Sequence, residues 1–194
     1  MSIQIESERL NGLHVIVHPD IFEDERGFFF EVFRADRFVE LGLPSTFVQL
    51  NHSRSRKGVL RGLHFQWEPP MGKLMRVTQG SAFLAAVDIR KGSPTLGQWY
   101  GTEVSAQNKK QIWAPAGFAR GFCVLSEHAE LQYLCTGVYN HRAESGIRWD
   151  DPALGIDWPI PPGTEPILSD KDQKARTLQE WLASRDSDRF QFEG

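Results

Sequence analysis

Short runs of alternating apolar and polar residues recur along most of the chain, separated by Gly, Pro, Asn and Asp. A period of two is typical of strands that bury one face, and frequent turn residues separate such strands. The runs are LHVIV (13–17), FFFEVF (28–33), FVQLN (47–51), VLRGLHFQW (59–67), KLMRV (73–77), SAFLAAVDI (81–89), QWYGTEV (98–104), KQIWA (110–114), GFCVL (121–125) and ELQYLCTGVY (130–139). Many brief, closely spaced strands predict an all-β barrel or jelly roll.

Helical periodicity is confined to two places. In residues 170–185, Leu178, Trp181 and Leu182 share one face at the i, i+3, i+4 spacing of a helix. A shorter helix is predicted within RADRFVELG, where Gly42 would end it. Because no repeat or linker interrupts the chain, we expect one domain over 1–194, with 170–185 as a C-terminal helical appendix.

Composition narrows the function classes. The net charge is −3, which argues against a general nucleic-acid-binding protein. The N-terminal MSIQIESERL does not resemble a signal peptide, and the apolar run SAFLAAV is too short to span a bilayer. Cys123 and Cys135 have no metal-binding spacing, and we expect no disulfide between them. These features predict a cytoplasmic protein with no membrane partner.

Arg61 and His64 lie inside a run that otherwise predicts a buried strand. Burying either side chain without a partner costs several kcal/mol of hydration, on the order of 2–7 kcal/mol for a polar group. Strict alternation would direct the two side chains to opposite faces. Gly62 lies between them, and glycine inside a strand often marks a bulge, which would let both side chains converge inside a barrel.

A histidine in a strand is commonly a core residue bonded to a backbone carbonyl, so the catalytic interpretation of His64 has a structural alternative. Metal binding is disfavoured, because a barrel metal site needs three or four His or carboxylate ligands. No second histidine lies near His64 in its strand, and the downstream PAGFARGF offers Arg120 rather than a ligand. We therefore expect no metal.

Tyr133 and Tyr139 have the same parity in their run, so one strand could direct both to one face. Tyrosines in strands are often packing residues. The alternative is a phenol that gives a proton to a substrate from the side opposite a base.

Cations and aromatic rings suggest a ligand class. Each of the four cations in or beside predicted strands could be an ordinary surface charge: Arg26, Arg61, Lys73 and Arg120. Together with Phe29 and Tyr139, they fit an anion with a planar ring, such as a nucleoside diphosphate. Two of the three phenylalanines at 28–30 are expected in the core.

The chain resembles the dTDP-4-dehydrorhamnose 3,5-epimerases, which act on dTDP-4-keto-6-deoxy sugars. The resemblance covers almost the whole chain, through DERGFFFEVF (24–33), VQLNHSRSRKGVLRGLHFQ (48–66), VDIRKGSPTLGQW (87–99), PAGFARGF (115–122), YLCTGVY (133–139), GIRWDDPALGIDWP (146–159) and LSDKD (168–172). It implies a cupin-type jelly roll that works as a homodimer without metal or organic cofactor.

The resemblance also implies roles for individual residues. His64 would be the general base, Asp172 its orienting acid and Tyr133 the opposing acid. Arg61 and Lys73 would stabilise the enolate. Phe29 and Tyr139 match thymine-stacking positions, and further nucleotide and sugar contacts, several from the partner subunit, would come from Arg26, Glu31, Gln49, Asn51 and Ser53.

Two positions depart from the family pattern. Arg120 replaces the usual histidine of GFAHGF, and Leu84 replaces a usual aspartate. Both are expected to face the pocket, where they would either alter which carbon epimerises or leave both inversions intact. The alternatives are a single-centre epimerase for another nucleotide sugar, a non-catalytic sugar-nucleotide-binding cupin and a metal-dependent cupin enzyme. The non-catalytic cupin would be expected to lack His64, Tyr133 or Asp172, and the metal-dependent enzyme would need the missing ligand set.

Overall fold

The computed structural model describes residues 2–193. Their strands are β1 (Gln4–Arg9), β2 (Leu13–Val17), β3 (Phe22–Asp24), β4 (Gly27–Phe29), β5 (Gln49–Arg56), β6 (Leu60–Gln66), β7 (Lys73–Gln79), β8 (Ser81–Asp88), β9 (Trp99–Ser105), β10 (Gln111–Ala114), β11 (Phe118–Val124), β12 (His128–Cys135) and β13 (Glu144–Gly146). The helices are α1 (Ala35–Glu40), α2 (Asp170–Gln173) and α3 (Leu178–Leu182), followed by a 3₁₀ turn (Arg185–Arg189). The predicted range 1–194 also includes Met1 and Gly194, which lie outside the described residues.

Two antiparallel sheets form the body of the protein. One has the strand order β1-β2-β10-β7-β12-β5, and the other has the order β13-β6-β11-β8-β9. Strands distant in sequence are neighbours in both sheets, as in a jelly roll. The predicted all-β jelly roll is confirmed, and β5 and β13 lie at sheet edges.

The inner faces of the two sheets share an apolar core. Met75 and Val77 of β7 and Leu131 of β12 pack there with residues of β8, β9 and β11. Lys73 and Tyr133 occur two residues from Met75 and Leu131 in the same strands, so alternation directs them to the same interior. The interior is therefore apolar over part of its length and polar at the adjoining end.

The C-terminal region packs on the outer side of the second sheet. Trp181 is fully buried and contacts Phe65 with ring centroids 4.5 Å apart, within a cluster that includes Phe190. The predicted helix over 170–185 is instead two short helices, because Arg176 forms a parallel bridge with Ile147. Residues of this region complete the apolar cluster on the outer side of that sheet.

The start of α3 is defined by a capping box. The Thr177 hydroxyl accepts from the Glu180 backbone N–H at 3.2 Å, and Glu180 accepts from the Thr177 N–H at 2.8 Å. Such reciprocal bonds satisfy amides that have no partner in the first helical turn. The sequence therefore restarts a helix at Leu178 instead of continuing one from Gln173.

The shorter predicted helix is present as α1. Phe38 is fully buried against the first sheet, and the chain turns at Gly42 with φ +72°. The core prediction for FFF is wrong, since Phe28 and Phe29 are 60% and 62% exposed. Both lie on β4, which forms a separate two-stranded sheet with β3 and directs the two rings outward.

Candidate active site

A bulge in β6 brings Arg61 and His64 to one side of the strand. Arg120 of β11 pairs with His64 and Phe122 pairs with Arg61, so two β6 residues oppose the single residue Gly121. Gly62 has φ +115°, and a Cβ there would lie 2.6 Å from the Arg120 carbonyl oxygen. The predicted bulge is confirmed: Arg61 and His64 line one cavity.

His64 is bonded to a buried carboxylate. Its Nε2 lies 2.5 Å from Oδ1 of Asp172, which is the third residue of α2. The Ser169 hydroxyl donates to Asp172 Oδ2 at 2.8 Å, and the Gly62 N–H donates to Oδ1 at 3.4 Å. Burial raises the pKa of Asp172, but the hydrogen bonds and the charge of His64 outweigh it and leave the pKa below its usual value. The carboxylate therefore stays ionised and fixes one ring nitrogen of His64.

A cavity of about 160 Å³ lies at the polar end of the barrel. Its walls are Ser53, Arg61, His64, Lys73, Met75, Arg120, Gly121, Phe122, Leu131 and Tyr133. Three of these residues are cations and none is a carboxylate. A positive enclosure of this kind stabilises negative charge that develops within it.

Lys73 and Tyr133 lie together in this cavity. The Lys73 ammonium is 5.0 Å from the centre of the Tyr133 ring. Burial lowers the pKa of Lys73 to about 8, and the charge of Arg120 acts in the same direction. Burial raises the pKa of Tyr133, so its phenol is protonated at neutral pH and is able to donate.

Arg61 and Ser53 line the same cavity in different ways. Arg61 is exposed and donates from Nε to Ser55 Oγ at 3.1 Å, so it lies at the cavity mouth rather than in the interior expected from the sequence. Ser53 Oγ is buried with no hydrogen-bond partner within the described residues, so it is free to bond a ligand.

A second cavity of about 150 Å³ shares His64, Lys73 and Tyr133 with the first. The sequence-predicted residues Gln49, Asn51 and Tyr139 also line it, together with Phe65, Gln66, Met71 and Glu144. The two cavities therefore meet at three of the residues predicted to act on a substrate: the base, the acid and the lysine.

Tyr139 reaches this cavity from a loop. β12 ends at Cys135, so the expectation that one strand carries both tyrosines is wrong. The Tyr139 N–H donates to Gln49 Oε1 at 2.8 Å, and its hydroxyl donates to Glu144 at 2.6 Å. Its ring is 55% exposed, as a stacking surface requires.

Glu144 and Lys171 were missed by the sequence reasoning. Lys171 Nζ lies 2.6 Å from Glu144 Oε1, the same oxygen that accepts from Tyr139. The sequence signal that could have identified Lys171 is its position directly before Asp172 in LSDKD. The hydrogen bond to Glu144 is the main cause that raises the pKa of Tyr139 to about 12.

Three sequence-predicted residues lie away from both cavities. Arg26 and Phe29 line a separate surface hollow around the β3–β4 hairpin, where Arg26 pairs with Asp24 at 2.5 Å. Glu31 lies next to an arginine, 3.6 Å from Arg34. A single chain does not bring these residues to His64.

The two departures from the family pattern separate in the structure. Arg120 is 4% exposed and lines the first cavity. Leu84 is buried in the apolar core and is not among the cavity walls, so the expectation that it faces the pocket is wrong. Leu84 pairs with Phe122 of β11, two positions along β8 from Ala86, which is the partner of Arg120.

Within residues 2–193, no three His, Cys, Asp or Glu side chains cluster as a metal site. Cys123 and Cys135 are both free thiols. No helix in this part of the chain has the length and apolar character needed to cross a bilayer.

Comparison with known proteins identifies the family. The sequence profile of the dTDP-4-dehydrorhamnose 3,5-epimerases matches residues 8–180. The dTDP-4-dehydrorhamnose 3,5-epimerase of Pseudomonas aeruginosa is 51% identical over 165 residues, which are 84% of this chain and 90% of the relative. The enzyme of the same name from Neisseria gonorrhoeae is 53% identical over 162 residues, 84% of this chain, and the match spans about half (49%) of that relative's length.

A solved structure supports the same assignment. The crystal structure of dTDP-6-deoxy-D-glucose-3,5-epimerase from Legionella pneumophila, in complex with dTDP-4-keto-L-rhamnose, superimposes with a TM-score of 0.91. It is 46% identical, and the match covers 100% of each chain. This chain belongs to the dTDP-4-dehydrorhamnose 3,5-epimerase family.

Proposed function

We propose that this chain inverts C3 and C5 of a dTDP-4-keto-6-deoxyhexose by proton removal and return through an enolate. The observation that carries the proposal is the Asp172–His64 pair, 2.5 Å apart, at a cavity that also holds Lys73 and Tyr133. A base, an acid and a cation are the groups that this reaction needs, because the 4-keto group acidifies the neighbouring C–H bonds.

His64 is the proposed base. Asp172 accepts a hydrogen bond from the Nε2–H of His64, and in a neutral imidazole the other ring nitrogen, Nδ1, then carries the basic lone pair. When Nδ1 takes a proton from the sugar, Asp172 stabilises the imidazolium that forms. The carboxylate is already ionised and held by Ser169, so little reorganisation is needed during the reaction.

Tyr133 is the proposed acid on the other side of the sugar. Removing a proton on one face and returning one on the opposite face inverts the carbon. The raised pKa of Tyr133 keeps its proton in place until the enolate carbon becomes basic enough to take it.

Lys73 and Arg61 are proposed to stabilise the enolate oxygen. A fixed cation near the oxygen lowers the energy of the charged intermediate more than that of the neutral ketone. At neutral pH Lys73 is mostly protonated, because its pKa of about 8 lies above the pH.

The second cavity is the proposed binding site for the nucleotide part of the substrate. Tyr139 offers an exposed ring for thymine, and Gln49 and Asn51 offer amide groups beside it. Arg26, Phe29 and Glu31 lie far from this cavity in one chain, and we propose that a partner subunit supplies them. The active unit is then a homodimer.

The exposed surface supports the dimer. Phe28 and Phe29 on β4 are exposed, as are Val48 and Leu50 at the edge strand β5. Exposed apolar groups and an unpaired edge strand are features that proteins ordinarily cover. A second copy of the chain would cover them.

Inversion of a single centre is the second candidate, and Arg120 is the observation that favours it. Arginine is longer than the usual histidine and permanently charged, so it changes the shape and charge of the cavity wall. A crowded sugar would be less able to change its ring conformation between the two inversions.

The test is conversion of dTDP-4-keto-6-deoxyglucose, with the product configuration read by NMR. We expect inversion at C3 and C5, unchanged after exhaustive chelation. Inversion at one carbon would support the second candidate, and an inactive protein that still binds dTDP would contradict catalysis. A single-domain chain, a cytoplasmic location and independence from metals and cofactors remain predictions.

A further inference from the structure

Arg120 makes an unusual set of bonds for a cavity residue. Both terminal nitrogens of its guanidinium donate to the Met71 carbonyl oxygen at 2.9 Å, and Nη1 also donates to the Ala114 carbonyl oxygen at 3.3 Å. Its Nε has no hydrogen-bond partner within the described residues. The side chain is therefore anchored by backbone carbonyls rather than by a carboxylate.

The two carbonyls have a defined relation to Lys73. Met71 precedes Lys73 by two residues, and Ala114 is directly opposite Lys73 in the pairing of β10 with β7. One guanidinium thus connects β11 to both backbone segments that determine where β7 begins.

The residue between Met71 and Lys73 is also held. The Gly72 N–H donates to Thr136 Oγ1 at 2.9 Å, and the Thr136 N–H donates to the Gly72 carbonyl at 3.1 Å. A Cβ on Gly72 would lie 2.2 Å from the Trp113 ring. Gly72 is therefore held by Thr136 and Trp113, and Arg120 holds the preceding residue, Met71.

No Asp or Glu lines the first cavity, so no carboxylate there neutralises the charge of Arg120. Burial lowers the pKa of Arg120 to about 10, which still leaves the guanidinium charged at neutral pH. Its charge therefore acts on the other groups of the cavity, and Lys73 is one of them.

We propose that Arg120 is a positioning residue for Lys73: it holds the start of β7 through Met71 and Ala114 and adds a fixed positive charge beside the ammonium group. This deepens the proposed function, on which it rests, by assigning a role to one of the two positions where the chain departs from the family pattern.

The consequence is a lysine that loses its proton near the upper end of the physiological pH range. Burial is the largest cause that lowers the pKa of Lys73, and Arg120 is the next. Cys135 and Glu144 raise its pKa, and Lys171 lowers it. The other charged or titratable groups that share its cavities are Arg61, His64 and Tyr133. Since the protonated form stabilises the enolate, activity should fall as pH rises through about 8.

The test compares two variants. Arg120→Met removes both the positive charge and the guanidinium hydrogen bonds to Met71 and Ala114, whereas Arg120→Lys keeps a positive charge and loses the paired guanidinium bonds. Arg185→Met, at an exposed position in the 3₁₀ turn, is the matched control. Mass spectrometry measures amine acylation of Lys73 as a function of pH, which reports the Lys73 pKa without any substrate. Epimerisation is measured over the same pH range.

We expect Arg120→Met to raise the midpoint of Lys73 acylation above about pH 8 and to shift the alkaline limb of kcat/KM upward with it. Arg120→Lys should lower kcat roughly tenfold or more through misplacement of Lys73, with the alkaline limb near its original position. The control should match the wild type in both measurements.

An unchanged Lys73 midpoint in folded Arg120→Met would overturn the electrostatic role. If Arg120→Met does not fold, Arg120→Lys alone tests the positioning role. A kcat equal to that of the wild type would overturn the role. A lowered kcat, with the alkaline limb of kcat/KM at its original pH, would support it. Failure of the proposed function would look different: the wild type itself would be inactive, while the acylation midpoints would still differ between wild type and Arg120→Met.

Discussion

His64 and Asp172 are 108 positions apart in the sequence and form the shortest polar contact of the site, at 2.5 Å. Each has support from its own element: the β6 bulge directs His64 inward, and the N-cap Ser169 of α2 holds the carboxylate. Arg120 is placed by the same sheet pairing, opposite His64. The geometry proposed for catalysis depends on backbone features as much as on side-chain identity.

Replacing Tyr133 with Phe separates the acid from the base. The variant keeps the ring that lies beside Lys73 and loses only the hydroxyl. Proton removal by His64 should partly survive, while proton delivery on the opposite face should fall by about 10²–10⁴-fold. We therefore expect deuterium exchange from solvent to persist better than inversion, measured by NMR on one sample. Tyr100→Phe, at a tyrosine that packs against the apolar core, is the control. Equal losses of exchange and inversion, or no loss of either, would leave Tyr133 as a packing residue.

At the scale of elements, the β6 bulge converts an ordinary strand into a support for the site. Leu60 and Leu63 pack together in the outer cluster, although strict alternation would place them on opposite faces. The extra residue places Arg61 and His64 on the same side of β6. The strand therefore directs its apolar side chains to the outer cluster and these two polar side chains to the cavity.

Gly62→Ala tests this dependence. The added methyl would meet the Arg120 carbonyl and the Gly121 Cα at 2.6 Å, in addition to the strain of φ +115°. Gly58→Ala is the matched control, because Gly58 has φ +81° but no neighbouring atom within 4 Å of where its methyl group would lie. We expect Gly58→Ala to cost about 1 kcal/mol of unfolding free energy and Gly62→Ala roughly 2–4 kcal/mol, measured by urea denaturation. Similar costs for the two variants would show that the bulge tolerates a side chain.

Sequence reasoning succeeded where a local rule governed the result. Gly62 predicted the bulge, and Gly42 predicted the end of α1. It failed where distant contacts decided. No local pattern indicates that Arg176 would pair with Ile147, although Thr177 and Glu180 were a local capping-box signal for a helix that starts at Leu178.

The errors at the site have a similar origin. Leu84 packs in the apolar core, and no local pattern specifies its neighbours there, which come from distant strands. β12 ends at Cys135, so parity could not be extended to Tyr139. Phe28 and Phe29 are exposed because they lie on β4 of the separate β3–β4 sheet, which the alternation pattern did not predict.

For the molecule as a whole, the question is how Arg26, Phe29 and Glu31 contribute to a site from which they are distant. They lie on or next to the β3–β4 hairpin, apart from the cavity beside Tyr139. A homodimer in which this hairpin reaches the neighbouring subunit would make each site a composite of two chains.

Mixed dimers test the composite site. We combine His64→Asn with a second chain carrying Arg26→Ala and Phe29→Ala, each poorly active alone, and let the subunits exchange. A shared site predicts recovery of about a quarter of the wild-type activity, because half of the dimers are mixed and each mixed dimer has one intact site. Light scattering should give twice the chain mass. No recovery in a preparation shown to contain mixed dimers would place all site residues in one chain.

The proposed reaction begins when His64 removes the sugar proton, and solvent exchange in D₂O measures that step directly. The wild type, His64→Asn and the control His52→Asn, whose ring pairs with Glu130 on the exposed side of β5, are incubated with dTDP-4-keto-6-deoxyglucose. NMR then measures deuterium at C3 and C5, and calorimetry measures dTDP binding. We predict label at both carbons with the wild type and His52→Asn, and loss of exchange by about 10²–10⁴-fold or more with His64→Asn at unchanged dTDP affinity. Exchange at the wild-type rate in His64→Asn would contradict the assignment of His64 as the base.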